Sequence, residues 1–405
     1  MRRIFSLVGL LAATALLAGC FEQIYVSSAP DGTIAVCGGG DLYMVNADMT
    51  EATFVAEKVV RAEFSPDGNR LLCALDRGEG DGRYFEIAIC DRKGRVLSSV
   101  DRKEIGDSGR ELREVELEMI CPRWSPDGKF ISYLMPDRQH KGFLELRVRE
   151  IDGPYTDLVS CVSAGYAWSR DSRRIAVIAT ATADPSYAGL ASVQVWTMKA
   201  GEGETRLIEP AGVVFNPYLW IGWLPDSQGV IFTANRMQLP VAGKQGLDTI
   251  PLQVFSVDLE GRDLKGLLPD SVLSTGAAGM FDVSPDGRKL AYLVWDPRKP
   301  DDHSILISFR GTVFVSNTDG SSPRDIFSQD VMYGCPRWLS NDRVACIGQP
   351  DGGDEEQRGV YVVDVNSGKT VCLGPLISKV ARAREKAKDS QTSATLSTES
   401  TLVKP

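Results

Sequence analysis

Seven copies of one turn motif, strand-length apolar runs beside each copy, and unequal spacing between copies predict an all-β fold, a single β-propeller of four-stranded antiparallel blades. The copies are Ala29-Pro30-Asp31-Gly32, Phe64-Ser65-Pro66-Asp67-Gly68, Trp124-Ser125-Pro126-Asp127-Gly128, Trp168-Ser169-Arg170-Asp171-Ser172, Trp223-Leu224-Pro225-Asp226-Ser227, Val283-Ser284-Pro285-Asp286-Gly287 and Trp338-Leu339-Ser340-Asn341-Asp342. Their aspartates fall 36, 60, 44, 55, 60 and 56 residues apart. A constant core with variable spacing is one structural unit carrying loops of different length. Unit one is short and unit seven degenerate, so seven blades is the expected count, with six or eight also compatible.

Within a unit, Ser-Pro-Asp-Gly is a tight hairpin. Proline fixes φ at the second turn position, aspartate suits the third, and glycine takes the left-handed conformation that follows. The next run is apolar on both faces, as in Lys129-Phe130-Ile131-Ser132-Tyr133-Leu134. A third strand then ends in a polar turn, as Phe85 to Cys90 does before Asp91-Arg92-Lys93-Gly94, and a fourth closes the unit. One such sheet cannot bury two apolar faces by itself. Stacking the sheets around an axis buries both and leaves only short outer edges.

The Trp-Ser-Pro-Asp-Gly-Lys units resemble the repeats of TolB-like, WD-repeat-like propellers of the bacterial envelope over about residues 24 to 374. The resemblance implies the fold and says little about function. The chain departs from TolB proper, whose additional α/β domain is expected to be missing because repeat one starts within ten residues of Cys20. Past Gly374 the pattern stops. Ser378 to Lys388 reads as a short charged helix and Gln391 to Pro405 as a disordered tail. The 31 residues after Gly374 leave no room for a hydrolase domain of the kind that prolyl-oligopeptidase-like enzymes attach to a propeller. The expected organisation is a leader at 1–19, a propeller at 20–374 and a helix-prone and disordered tail at 375–405.

Met1-Arg2-Arg3, the apolar run Ile4 to Leu17 and Leu17-Ala18-Gly19-Cys20 resemble a bacterial lipoprotein signal peptide. The run is too short for an ordinary membrane-spanning helix. The resemblance implies cleavage before Cys20 and lipid attachment to that residue. Phe21 stands where inner-membrane retention would use Asp, so the expected location is the outer membrane, facing the periplasm.

A net charge of −9 argues against nucleic acid as a partner. Two histidines, His140 and His303, are too few for a multi-histidine metal site, and both fall in loops between second and third strands. No cofactor is expected. Eight cysteines follow Cys20, at 37, 73, 90, 121, 161, 335, 346 and 372, without CxxC or Cys/His metal spacing. Export permits disulfides and eight cysteines allow 105 connectivities, but most lie in strand-like runs and read as buried thiols packed as small hydrophobes. Gly106-Asp107-Ser108-Gly109 lacks the Gly-x-Ser-x-Gly pattern and a neighbouring base, so it reads as a charged loop. Asp351, Asp354, Glu355 and Glu356 miss calcium-loop spacing and read as a solvated acidic loop. No catalytic residue is therefore assigned.

Insertions carry more information than motifs. With the strands of a blade lettered A to D, the long segments are 98–120 in a D–A connection and 181–190, 235–250, 295–310 and 349–358 in B–C connections. Antiparallel strands alternate direction, so B–C and D–A links emerge on one side of the disc, and the short A–B and C–D turns on the other. Loops on a rigid scaffold are where binding usually resides. The elaborated side is thus the expected surface for an envelope protein, peptide or glycan, and a non-enzymatic binding scaffold is the first reading. An axial-channel lyase or glycosidase and a structural subunit of an envelope complex are the alternatives.

One position per inner strand, just before each turn, aligns Ser27, Glu63, Arg123, Ala167, Gly222, Asp282 and Arg337. Acid precedes base in neighbouring blades, Glu63 with Arg123 and Asp282 with Arg337. Arg123 and Arg337 share the local sequence Cys-Pro-Arg-Trp. Charges near a sheltered axis are costly unless compensated. Two cross-blade ion pairs are the expectation, and a polar ligand held by all four charges is the alternative.

Overall fold

The computed structural model describes residues 24–78, 82–104, 121–136, 144–151, 153, 155–180, 191–197, 204–208, 213–214, 220–236, 253–273, 277–295, 310–330, 336–348 and 359–399. Blade 1 consists of β1 (Tyr25–Ser28), β2 (Ile34–Gly38), β3 (Asp41–Val45) and β4 (Ala52–Glu57), paired in sequence order. Blade 2 repeats this with β5 (Val59–Phe64), β6 (Arg70–Arg77), β7 (Tyr84–Asp91) and β8 (Val96–Glu104). Blade 3 starts with β9 (Arg123–Trp124), β10 (Phe130–Pro136) and β11 (Leu144–Glu150). The 14-residue β12 (Tyr155–Trp168) then serves two blades. Its first half pairs with β11 and closes blade 3; its second half, past a register shift between Val162 and Tyr166, pairs with β13 (Arg174–Thr180) and opens blade 4. Blade 4 ends with β14 (Ala191–Thr197) and β15 (Glu204–Ile208).

In blade 5 the inner strand is split. β16 (Val213–Val214) and β17 (Ile221–Trp223) pair with different ends of β18 (Gly229–Arg236), which is followed by β19 (Gln253–Asp258) and β20 (Lys265–Gly266). After the short helix α1 (Asp270–Leu273), blade 6 comprises β21 (Ala277–Val283), β22 (Lys289–Trp295), β23 (Arg310–Asn317) and β24 (Arg324–Asp330). Blade 7 comprises β25 (Arg337–Trp338), β26 (Arg343–Gly348), β27 (Gly359–Asp364) and β28 (Thr370–Cys372). The chain is a seven-bladed β-propeller, as the turn motif predicts.

The core is a set of seven seams. Each buried apolar cluster joins one blade to the next, and the last joins Leu339, Ala345 and Val362 of blade 7 to Val26, Ile34 and Val36 of blade 1. Side chains on a strand alternate between faces. Leu71, Cys73 and Leu75 of β6 accordingly pack towards blade 1, while Leu72 and Ala74 pack towards blade 3. This is why Leu71–Leu75 is apolar throughout and why each of its residues is buried. Cys37, Cys73 and Cys90 are buried free thiols in these seams, Cys346 is buried in the seam between blades 6 and 7, and Cys121 and Cys372 are half-buried. Burial pushes the Cys37 thiol up to about 12. Cys161 and Cys335 lie outside the residues whose side chains are described.

The repeated motif acts at two levels. Locally, Ser65 Oγ contacts Asp67 Oδ1 and accepts from Arg70 N, Asp67 Oδ1 accepts from Asn69 N, and Gly68 adopts a φ of 71°. The same net recurs around Ser125, Ser169 and Ser284. Ser172 stands at the glycine position with a φ of 59°, and its hydroxyl accepts from Asp127 N of the preceding blade. Between blades, the tryptophan at the motif's head donates its indole N–H to the inner-strand carbonyl one repeat earlier: Trp124 to Glu63, Trp223 to Ala167, Trp338 to Asp282, at 2.9–3.1 Å. Trp168 instead donates to Ser132 Oγ, whose hydroxyl faces the Arg123 carbonyl.

Among the described residues no strand is shared between the first and last blades. Ser28 Oγ donates to the Leu339 carbonyl and Arg343 to that of Ala47. Helix α2 (Gly374–Glu399) then leaves blade 7 and crosses to blade 1. Leu376 and Ile377 pack on the closing seam, Arg384 bonds Asp41 and Glu57 and covers the Phe54 ring, and Lys388 reaches Glu57 at 2.7 Å. The helix runs well past the 378–388 expected from charge patterning. Its second half continues through Ala, Lys, Gln and Ser, which a helix accommodates without proline or glycine.

Candidate functional site

The first strands of blades 1, 2 and 3 pack side by side, as do those of blades 4, 5, 6 and 7, which places them on the inner side of the ring. Glu63, Arg123, Asp282 and Arg337 sit on these strands in blades 2, 3, 6 and 7, all half-buried. These are the four positions expected near the axis. The hydrogen bonds of their two acids go to backbone and tyrosine.

Glu63 Oε1 accepts from the backbone N–H of Trp124 at 3.2 Å, and Asp282 Oδ2 accepts from that of Trp338 at 2.8 Å. Neither acid bonds the arginine beside that tryptophan. The reason is directional: side chains in this row reach towards the next blade. Ser27 reaches the Ala62 carbonyl in blade 2, Glu63 reaches blade 3, Asp282 reaches blade 7, and Arg337 reaches on to Tyr25 in blade 1. An acid therefore meets the backbone of its neighbour, and in blade 7 the arginine reaches on to Tyr25, while Arg123 stays within electrostatic reach of Glu63.

Tyr25 is the hub that the sequence reading missed. Its hydroxyl donates to Glu63 Oε2 at 2.9 Å and accepts from Arg337 Nη2 at 3.3 Å. Arg337 and Arg61 both lie over its ring, with the guanidinium carbons 5.5 and 5.1 Å from the centroid. Arg61 also donates to Cys121 Sγ at 2.8 Å. Burial, and then the Glu63 carboxylate, push the Tyr25 hydroxyl far above its usual range, against the opposing pull of Arg337, Arg123 and Arg61. The belt Arg337–Tyr25–Glu63–Trp124 spans blades 7, 1, 2 and 3. Tyr25, Arg61 and Cys121 sit two residues before Ser27, Glu63 and Arg123, roughly 6.6 Å nearer the D–A side at the usual strand rise. Reading that second row of the same repeat alignment would have found them.

The elaborated face is defined by its flanks. Residues 98–104, assigned to the first insertion, belong to β8; residues 235 and 236 end β18, and 295 and 310 end β22 and begin β23. What remains of the insertions lies outside the described residues, as do Cys20, Gly106–Gly109, His140, His303 and the acidic residues from Asp351 to Glu356. The described A–B turns are all tight, and so are C–D turns such as Asp91–Arg95 and Asp258–Arg262. On the opposite side, helix α2 and the B–C and D–A ends of blades 1 and 2 form a polar cleft of about 400 Å³ lined by Asp41, Glu57, Lys58, Asp76, Arg384 and Lys388. It opens beside the Gly39-Gly40 B–C turn, so the helix adds to the elaborated face. Among the described residues no helix is long and apolar enough to cross a membrane, and no cluster of His, Cys, Asp and Glu is placed to hold a metal ion.

If Glu63 is held by Tyr25 and the Trp124 amide, the Tyr25→Phe/Glu63→Gln cycle will show a coupling of about 1 kcal/mol or more in denaturant unfolding. The Glu63→Gln/Arg123→Met cycle will show a smaller one. The reverse order would restore the direct ion pair.

No protein family matches the chain, and no curated protein matches it. Solved structures do. A prolyl oligopeptidase B from Galerina marginata is similar with a TM-score of 0.53 at 9% identity, over 90% of this chain and 52% of that one. A prolyl endopeptidase gives 0.51 at 15% identity, over 90% and 51%. TolB from Acinetobacter baumannii gives 0.45 at 13% identity, over 86% and 77%. The chain spans about half the length of both peptidases, and these likenesses concern the fold.

Proposed function

We propose that this chain is a lipid-anchored envelope protein, tethered through Cys20 to the outer membrane, whose disc binds a protein, peptide or glycan without chemical turnover. The observation that carries the reading is the asymmetry between its sides. Every long connection leaves from the B–C and D–A side, where helix α2 and its polar cleft also lie, while the described A–B and C–D turns remain tight. A scaffold of seven packed seams holds such loops in fixed relative positions, which lowers the ordering cost of binding. The Leu17-Ala18-Gly19-Cys20 box supports the anchor. Two acyl chains or more on one residue would give stable membrane attachment where a single chain would not.

Labelled fatty acid will be incorporated into the wild-type protein and not into Cys20→Ala, and only the wild type will fractionate with membranes. Equal labelling, or a soluble wild type, would remove the anchor from the account.

Crosslinking in intact cells followed by pull-down of the anchored protein supplies the partner. Deletion of 238–250 or of 297–308 will leave the unfolding transition in place and lower capture of that partner by roughly tenfold, about 1.4 kcal/mol. Shortening the opposite turn at 199–203 will leave capture unchanged. A larger effect from 199–203 would reverse the assignment of the face.

A further inference from the structure

The axial belt has a chemistry that the partner face does not explain. Three guanidiniums, from Arg61, Arg123 and Arg337, act together on the Tyr25 hydroxyl, and Arg123 and Arg337 lie close enough to oppose each other's charge. The two acids of the same row, Glu63 and Asp282, are engaged elsewhere. Glu63 receives Tyr25 and the Trp124 amide; Asp282 receives the Trp338 amide at 2.8 Å and that of Val283 at 3.1 Å. Each carboxylate thus hydrogen-bonds blade backbone or tyrosine, and Glu63 meets the Arg123 charge only through space. Arg123 shows the consequence most directly. Its Nε is buried and has no hydrogen-bond partner among the described residues. A buried guanidinium donor left unsatisfied is costly, and its fork geometry matches a planar carboxylate or a phosphate face.

The row carries no further cation at its other positions. Ser27, Ala167 and Gly222 carry the smallest side chains of the seven, so the arginines are the only long cations reaching from it. Arg337, Arg61 and Arg123 come from blades 7, 2 and 3, on either side of Tyr25 in blade 1.

We propose that the axial channel binds an oxyanion, a carboxylate or a phosphate, seated against Arg123 and Arg337 at the level of the Tyr25 hydroxyl. Arg123 supplies the donor that lacks a partner, and Arg337 supplies the second charge. Tyr25 holds Arg337 in place and fixes Glu63 away from the anion. The site is separate from the elaborated face, and its test needs neither the lipid nor the partner.

The full chain purified in detergent is titrated with inorganic phosphate and with citrate at constant ionic strength, chloride serving as control. Heat of binding and the thermal unfolding midpoint are both followed. One of the two anions, in excess over chloride, will raise the wild-type midpoint, and its affinity will fall about tenfold or more in Arg123→Gln. The stronger of the two tells phosphate from carboxylate. Glu63→Gln, which removes the nearby negative charge, will tighten binding several-fold, and it keeps the test decisive should Arg123→Gln fail to fold. A midpoint that responds to phosphate and citrate no more than to chloride overturns the proposal. So does equal affinity in the wild type, Arg123→Gln and Glu63→Gln.

Discussion

Each blade has two apolar faces and can bury them only against two neighbours, so no blade is complete until the ring is. That constraint orders the rest of the structure. The seven core clusters are seven seams, and the seam between blades 7 and 1 is built like the other six although no strand among the described residues crosses it. Strand exchange would tie the ends of the chain through backbone hydrogen bonds. Here side chains and a helix do the work: Ser28 and Arg343 on the disc, Leu376 and Ile377 on the seam, and the Arg384 and Lys388 contacts to blade 1. The exposed Lys388–Glu57 pair contributes little by itself, and the partly buried Arg384, stacked on Phe54 and bonded to two acids, contributes more.

The inner strands solve a second problem created by the first. Strands around an axis bring polar side chains into shelter from bulk water, where uncompensated charge is disfavoured. The resolution is a belt whose members reach one blade onward, joining acid to backbone amide and arginine to tyrosine. The indole-to-carbonyl bonds run between the same strands and point backward by one blade. Blades 2 and 6 are thus joined to their following blades by both kinds of bond, and deleting either donor leaves a sheltered acceptor unsatisfied, at about 1–3 kcal/mol. A propeller stiffened in this way can carry long loops on one side without distortion of the frame.

Much of this was legible in the sequence because turn chemistry is local. Ser65-Pro66-Asp67-Gly68 states its own hairpin, and Leu71–Leu75 states a strand buried on both faces. The axial location of Glu63, Arg123, Asp282 and Arg337 followed from alignment of the repeats. Their partners did not, since the direction in which a side chain leaves its strand depends on the pleat and stagger of neighbouring blades. Tyr25 reads as one more strand aromatic until blades 7 and 2 are placed beside it. Asp101 reads as part of the 98–120 connection, yet it lies on β8, holds the buried Arg147 and accepts from Tyr133 across the seam between blades 2 and 3. Helix α2 was legible in kind but not in extent, because the seam it covers exists only after ring closure.

The claim that the blades are locked pairwise by their tryptophans is tested most directly by native-state hydrogen exchange of the indole N–H groups. Trp196 supplies an internal reference, since its indole bonds Gln194 on its own strand. The account predicts that Trp124, Trp223 and Trp338 exchange only through opening of the ring, with a protection free energy approaching that of global unfolding, while Trp196 exchanges through local fluctuation. Indoles of Trp124, Trp223 and Trp338 that exchange as fast as that of Trp196 would contradict it.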